Sequence, residues 1–131
     1  MENWKDIPGY EGYYQASDMG RIRSVTRAIK HPRNNEYDFI VNGRVLKHRF
    51  DKNGYPTVNI SKEGVIKTHK VHRLVAMAFI PNPENYETID HINCIKYDNR
   101  PENLRWCTTQ ENTKHREETY DIGDRARYKI V

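Results

Sequence analysis

The spacing of apolar positions changes character along the chain, and each change marks an element. From Trp4 to Val25 the order W-K-D-I-P-G-Y-E-G-Y-Y-Q-A-S-D-M-G-R-I-R-S-V carries a Pro8-Gly9 turn and no helical stripe. Tyr13 to Ala16 can pair with Arg21 to Val25 around a loop at Asp18-Met19-Gly20. Residues 26 to 42 lack clear periodicity and hold Pro32 and Asn34-Asn35, so they read as a connecting loop without regular structure. Then Arg44 to Phe50, Pro56 to Ser61 and Val65 to Val71, divided by Asp51-Lys52-Asn53-Gly54 and Lys62-Glu63-Gly64, predict a three-stranded antiparallel sheet. Its exposed side chains are expected to be Lys47, Arg49, Asn59, Lys67 and His69, with Val45, Leu46, Val58, Ile60 and Ile66 as apolar positions. The alternation is imperfect, and a slip of one residue would exchange the two faces.

At Val71 the period becomes helical, with Leu74, Val75, Ala78 and Phe79 on one stripe, until Pro81 and Pro83 stop it. Thr88 to Ile92 can form a strand, residues 93 to 102 are rich in turn formers, and Leu104 to Cys107 can form the partner strand. Thr108 stands three residues before Glu111, a capping-box spacing, so a helix is expected from about Thr109 with Asn112 in its first turns. The expected class is α+β: a small β-rich N-terminal half, then strand, strand and helix. The expected divisions are residues 1–42 as an N-terminal module with its linker, 43–118 as a basic sheet leading into the strand-strand-helix unit, and 119–131 as a tail.

Composition narrows the partners. The 131 residues carry 22 Lys and Arg against 18 Asp and Glu, and the charge is segregated. Residues 42 to 73 hold eight basic side chains against Asp51 and Glu63, and residues 20 to 34 add five with no acid among them. A polyanion would meet this first half, although a charge run can equally be a solvated face. No stretch reaches the roughly 20 apolar residues that cross a bilayer, and the opening MENWKDIPGYEG lacks the order of a secretion signal. A soluble protein of the cytoplasm, without membrane contact, is the expectation. Cys94 and Cys107 form no C-x-x-C, and a disulfide is not expected.

The run V-H-R-L-V-A-M-A-F-I-P-N-P, then I-D-H-I-N, D-N-R-P-E-N-L-R-W and Q-E-N, resembles the HNH endonuclease family in its phage and intron-associated branch. The N-terminal W-K-D-I-P-G-Y-E-G-Y-Y-Q-A-S-D-M-G-R-I-R-S is similar to the short module that commonly precedes such nucleases. This resemblance implies a ββα-metal fold and metal-dependent hydrolysis of DNA phosphodiesters by a homing-type or phage-encoded nicking enzyme, acting in a bacterial or phage-infected host cell. It implies His91 as general base, Asn103 as the brace of the loop between the strands, and Asp90 with Asn112 as ligands of one divalent ion. Oxygen ligands suit Mg²⁺, and Mn²⁺ should substitute. Asn112 stands where many relatives carry His, and His115, one helical turn on, is the alternative ligand.

The implied partner is double-stranded DNA, bound by a monomer or weak dimer. Arg21, Arg23, Arg27, Lys47, Arg49, Lys67 and His69 are the expected contacts to it. His72 reads more readily as a packing residue than as a chemical one. A structural zinc site from His69, His72, Cys94 and Cys107 is not expected, because the spacing lacks a knuckle. The rival reading is a DNA-binding regulator that keeps the shape without turnover.

Overall fold

The computed structural model describes residues 1–30 and 38–115. The stretch of the expected loop around Pro32 and Asn34-Asn35, and the expected tail 119–131, lie outside the described residues. The architecture is α+β. Strands β1 (Trp4–Asp6), β2 (Tyr14–Ser17) and β3 (Ile22–Ser24) form an antiparallel sheet in chain order. Ala16 faces Ile22 across the β2–β3 ladder and both are fully buried, so this small sheet turns one face inward. β4 (Arg27–Lys30) and β5 (Asp38–Val41) pair as a separate hairpin. That corrects the expectation of no regular structure over residues 26 to 42. The ladder supplies backbone partners that a weakly alternating stretch does not advertise, and Ile40 and Val41 remain exposed.

The strand expected over Arg44 to Phe50 divides. Val45 bridges to Arg23 and the Leu46 N–H donates to the Ile22 carbonyl, which adds this segment to the first sheet. Only Arg49–Phe50 (β6) joins the second sheet, with β7 (Pro56–Lys62) and β8 (Val65–Lys70). The join is close: the Gly43 N–H reaches Thr26 Oγ1 at 2.8 Å and the Arg44 N–H reaches Ser24 Oγ at 3.0 Å. A Cβ on Gly43 would lie 2.3 Å from the Ser24 carbonyl oxygen.

The β7–β8 register also corrects an expectation. Lys62 pairs with Val65 around a two-residue turn, Glu63-Gly64, in which both residues have positive φ. That turn places His69 opposite Val58, Lys67 opposite Ile60 and Ile66 opposite Ser61. Lys67 and His69 therefore lie on the face of buried Val58 and Ile60, whereas Ile66 points away at 71% exposure. Lys67 reaches solvent from this edge strand, and His69 is taken up by Tyr10, whose hydroxyl lies 3.1 Å from its Nε2.

Helix α1 (Val71–Phe79) follows β8 directly, and the Ile80 N–H closes on the Ala76 carbonyl before Pro81. Val71, Leu74, Val75 and Ala76 are fully buried and form one core with Ile7, Ala16, Ile22, Val58 and Ile60 of the sheets before it. Ile89 and Leu104 join the same core from β9 (Thr88–His91) and β10 (Leu104–Cys107). A 3₁₀ turn at Pro101–Asn103 precedes β10, and helix α2 begins at residue 109. Among the described residues no helix is long and apolar enough to cross a membrane.

These contacts set two expectations for stability. Gly43→Ala must push apart a pair of hydrogen-bonded backbone segments, and a loss of about 1–3 kcal/mol in urea unfolding is expected; an unchanged midpoint would show that the segments are loosely joined. His72, in the first turn of α1, is only 7% exposed, and burial, followed by the charges of His91, Lys70 and Arg73, pushes its imidazole down to about 3. Below the ordinary value of 6.5 the unfolded chain takes a proton here that the folded chain refuses. Stability should therefore fall with pH from 6.5 towards 3, by up to ~1.4 kcal/mol per unit from this group. His72→Leu should flatten that acid limb in melting curves taken between pH 4 and 7.

Candidate active site

The β9–β10 hairpin sets the directions of the polar side chains. Asp90 lies opposite Arg105 and His91 opposite Leu104. Side chains alternate along a strand, so Ile89, His91, Leu104 and Trp106 share the face that packs on α1, and Asp90 and Arg105 share the other. Trp106 anchors the first face by donating its Nε1–H to the Ile80 carbonyl at 3.1 Å. On the second face Arg105 Nε donates to Asp90 Oδ2 at 3.0 Å. Asp90 and His91 thus diverge, but His91 is the last residue of β9, so the two side chains flank the strand's end.

Helix α2 covers the Asp90 face. The Thr108 hydroxyl accepts the Glu111 N–H at 3.1 Å, the side-chain cap that the sequence spacing predicts. Thr88 and Thr109 hydroxyls lie 3.0 Å apart and tie the helix to β9. His115 Nδ1 comes within 3.9 Å of Asp90 Oδ2, and Asn112 is its neighbour one turn earlier on the same helix face. Asp90 is 2% exposed. Its carboxylate is thus a buried hard-oxygen donor facing a second polar element, and this donor chemistry fits a small divalent cation. Among the described residues no cluster of three His, Cys, Asp or Glu side chains is placed to hold a metal, so such an ion would take most of its ligands from water and substrate.

Loop 92–102 is shaped by asparagines. Asn103, nearly buried, accepts the Asn93 N–H through Oδ1 at 3.0 Å. Its Nδ2 donates to the Asn93 side chain at 2.9 Å and to the Asp98 carbonyl at 2.8 Å. The Asn103 carbonyl accepts the Ile92 N–H, so one residue braces both ends of the loop. The His91 ring is held by another residue, Asn99, which is 3% exposed and whose Oδ1 lies 2.7 Å from His91 Nε2. An amide oxygen only accepts, so the proton sits on Nε2 and Nδ1 is left as the basic nitrogen. Burial holds His91 below its ordinary value, partly offset by the Asn99 bond and by the charges of Asp90 and Asp98, so the ring is neutral at neutral pH.

The first half of the chain reaches this loop twice. Gly20, with φ of 78°, packs so tightly that a Cβ would lie 3.0 Å from the Asn99 backbone. Lys96 Nζ donates to the Asn53 carbonyl at 2.7 Å and sits 5.1 Å from the Tyr55 ring centre, with Lys70 Nζ at 4.8 Å from that ring. Tyr55 in turn lies 5.4 Å from the His72 ring and 6.0 Å from that of His91.

The expected DNA contacts divide into committed and presented cations. Arg21 is ion-paired with Glu2, whose carboxyl this partner lowers to about 2. Arg23 donates to Gln15 and stacks 4.2 Å from the Trp4 ring centre, and Arg27 lies 4.3 Å over Tyr13. Lys47 and Arg49 are exposed, on a cleft shared with Arg44. The sequence alone does not single out Asn99 or Tyr55, and it marks Arg44 only as part of the basic run of residues 42 to 73. Asn99 stands inside the D-N-R-P-E-N run, and its eight-residue distance from His91 is the available signal, but Tyr55 has none.

The profile of the NUMOD4 motif matches residues 2–61, and that of the HNH endonuclease matches residues 69–114. The chain is 38% identical over 112 residues to DNA endonuclease I-HmuI of Bacillus phage SP01, covering 86% of this chain and 56% of that protein. It is 42% identical over 90 residues to the uncharacterized HNH endonuclease L245 of Acanthamoeba polyphaga mimivirus, covering 63% of this chain and 27% of that one. Among solved structures, "DNA binding and cleavage by the HNH homing endonuclease I-HmuI" superposes with a TM-score of 0.69 at 35% identity, covering 89% of this chain and 59% of that chain. The chain thus spans little more than half of the phage relative and about a quarter of the viral one. With a hairpin and helix that carry Asp90, His91, Asn103 and Asn112 in one unit, and with both matches in this order, the chain belongs to the HNH endonuclease family, with a NUMOD4 motif ahead of its HNH domain.

Proposed function

We propose that this protein is a metal-dependent DNA endonuclease of the homing or phage-encoded type, nicking one strand at each active site. The observation that carries the reading is the His91–Asn99 bond: it leaves Nδ1 of a neutral imidazole available at the end of the strand that also bears the buried Asp90. Consecutive residues are about 3.8 Å apart at Cα, so a phosphate lying across that strand end meets both side chains.

Phosphodiester hydrolysis needs a water aimed in line, stabilisation of charge on the phosphate, and help for the departing 3′ oxygen. His91 takes the water's proton through Nδ1 while Asn99 keeps the other nitrogen protonated. Asp90 and Asn112 would hold the ion, Mg²⁺ or Mn²⁺, which when bound would supply Lewis-acid stabilisation of charge on the phosphate. His115, on the same side of α2, is the second candidate ligand. Arg105 keeps the Asp90 carboxylate aligned, and Asn103 keeps the loop, and so Asn99, in register. Duplex DNA lies along the Lys47, Arg49 and Arg44 cleft, with Arg21, Arg23, Arg27 and Lys67 at its margins. His69, engaged with Tyr10, belongs to the scaffold.

Supercoiled plasmid with Mg²⁺ or Mn²⁺ tests the chemistry. Wild type should produce nicked circles, His91→Ala should lower the rate by about 10²–10⁴, and Asn99→Ala by about 10–100-fold, each with DNA affinity retained. Wild type that binds DNA but leaves plasmid intact would establish the inactive regulator instead. A second expectation concerns the surface. Lys47→Gln and Arg49→Gln should each flatten the salt dependence of DNA binding by about one unit of slope. Arg21→Gln should do less, because its charge is shared with Glu2. Equal effects from all three would mean that the DNA path runs over the leading hairpin.

A further inference from the structure

His72 is unusual for a residue packed in a core. It sits in the first turn of α1, nine-tenths buried, and its Nδ1 has no hydrogen-bond partner. An unpartnered buried polar atom costs stability, and an aliphatic side chain in its place would avoid that cost. The ring lies 4.9 Å from the His91 ring at an interplanar angle of 64°, an edge-to-face arrangement, and 5.4 Å from the Tyr55 ring. His91 is thus held on two sides, by the Asn99 amide at Nε2 and by this aromatic pair. In an edge-to-face pair the positive edge of one ring meets the negative face of the other, and an imidazole edge is both smaller and more polar than that of phenyl.

We propose that His72 is a positioning residue for the proposed general base, kept at a cost in stability because its ring fixes the orientation of His91 towards the phosphate. This inference rests on the nuclease reading. It also gives the turn between β6 and β7 a role, since Tyr55 backs His72 and the same turn is latched to the catalytic loop by Lys96 and Asn53. The NUMOD4 half then contributes to catalytic geometry as well as to DNA binding.

The test uses the full chain with His72→Leu, which fills the volume without a ring, and His72→Phe, which supplies a larger and less polar one. Three quantities are read: melting temperature at pH 7.5, single-turnover cleavage at saturating and limiting DNA, and the ¹⁵N signals of the His91 ring. Both variants should melt at or above the wild-type temperature. Both should lose about 10–100-fold in kcat, the scale expected from a small misplacement of a reacting group, with KM and DNA affinity unchanged. The His91 signals should shift from a single Nε2–H tautomer to a mixture. Wild-type cleavage rates in either variant overturn the proposal, and so does a loss of activity that only follows a loss of melting temperature. Should a variant fail to fold, the ring signals and cleavage of the other decide. A wild type that binds DNA without cutting it refutes the nuclease reading instead, a result distinguishable from all of these.

Discussion

One nine-residue helix holds this molecule together. No sheet among the described residues has more than three strands, and sheets this small leave apolar surface for a packed helix to cover. Val71, Leu74, Val75 and Ala76 of α1 supply the missing surface, and the helix touches the leading sheet, the middle sheet and the β9–β10 hairpin at once. Each fully buried aliphatic side chain contributes about 1.5–3 kcal/mol. The two halves of the chain are joined through one shared core, and the family's NUMOD4 and HNH segments meet at that helix.

The site inherits its geometry from this arrangement. A hairpin pressed on α1 by Ile89, Leu104 and Trp106 must turn His91 to the same side and Asp90 to the other, because adjacent residues of a strand cannot share a face. Chemistry that needs both is possible only where the strand stops, and β9 stops at His91. The asparagines then do what a longer ladder would otherwise do. Asn103 closes the loop, and Asn99 selects the tautomer. A carboxylate in place of the Asn99 amide would add charge beside the ring and favour its protonated form, so a neutral acceptor leaves the His91 imidazole unprotonated near neutrality.

Charge is organised by the same logic. Cations of the leading hairpin are engaged with Glu2, Gln15, Trp4 and Tyr13, which orients long side chains that would otherwise lose entropy on binding. Those of the middle segment stand exposed. The surface thus presents guanidinium groups held by neighbours on one side and exposed cations, Arg44, Lys47 and Arg49, on the other.

Much was legible from residue order alone: the leading hairpin, the α1 stripe ended by Pro81, the Thr108 cap, and the grouping of Asp90, His91, Asn103 and Asn112 on a strand-strand-helix unit, because each rests on contacts within about a dozen residues or on a distinctive motif. What needed tertiary structure was every pairing across distant segments. The Glu63-Gly64 turn fixed a register that turns Ile66 outward and sets Lys67 and His69 on the face of Val58 and Ile60, Arg44 to Leu46 left their expected strand to join β3, and residues 27–30 and 38–41 found a ladder without a periodic signal. Tyr55 and His72 came to His91 from segments 36 and 19 residues away. Local order is written in spacing, but which of several near-equal long-range pairings prevails is decided by how much surface they bury together, and that quantity exists only once the chain is folded.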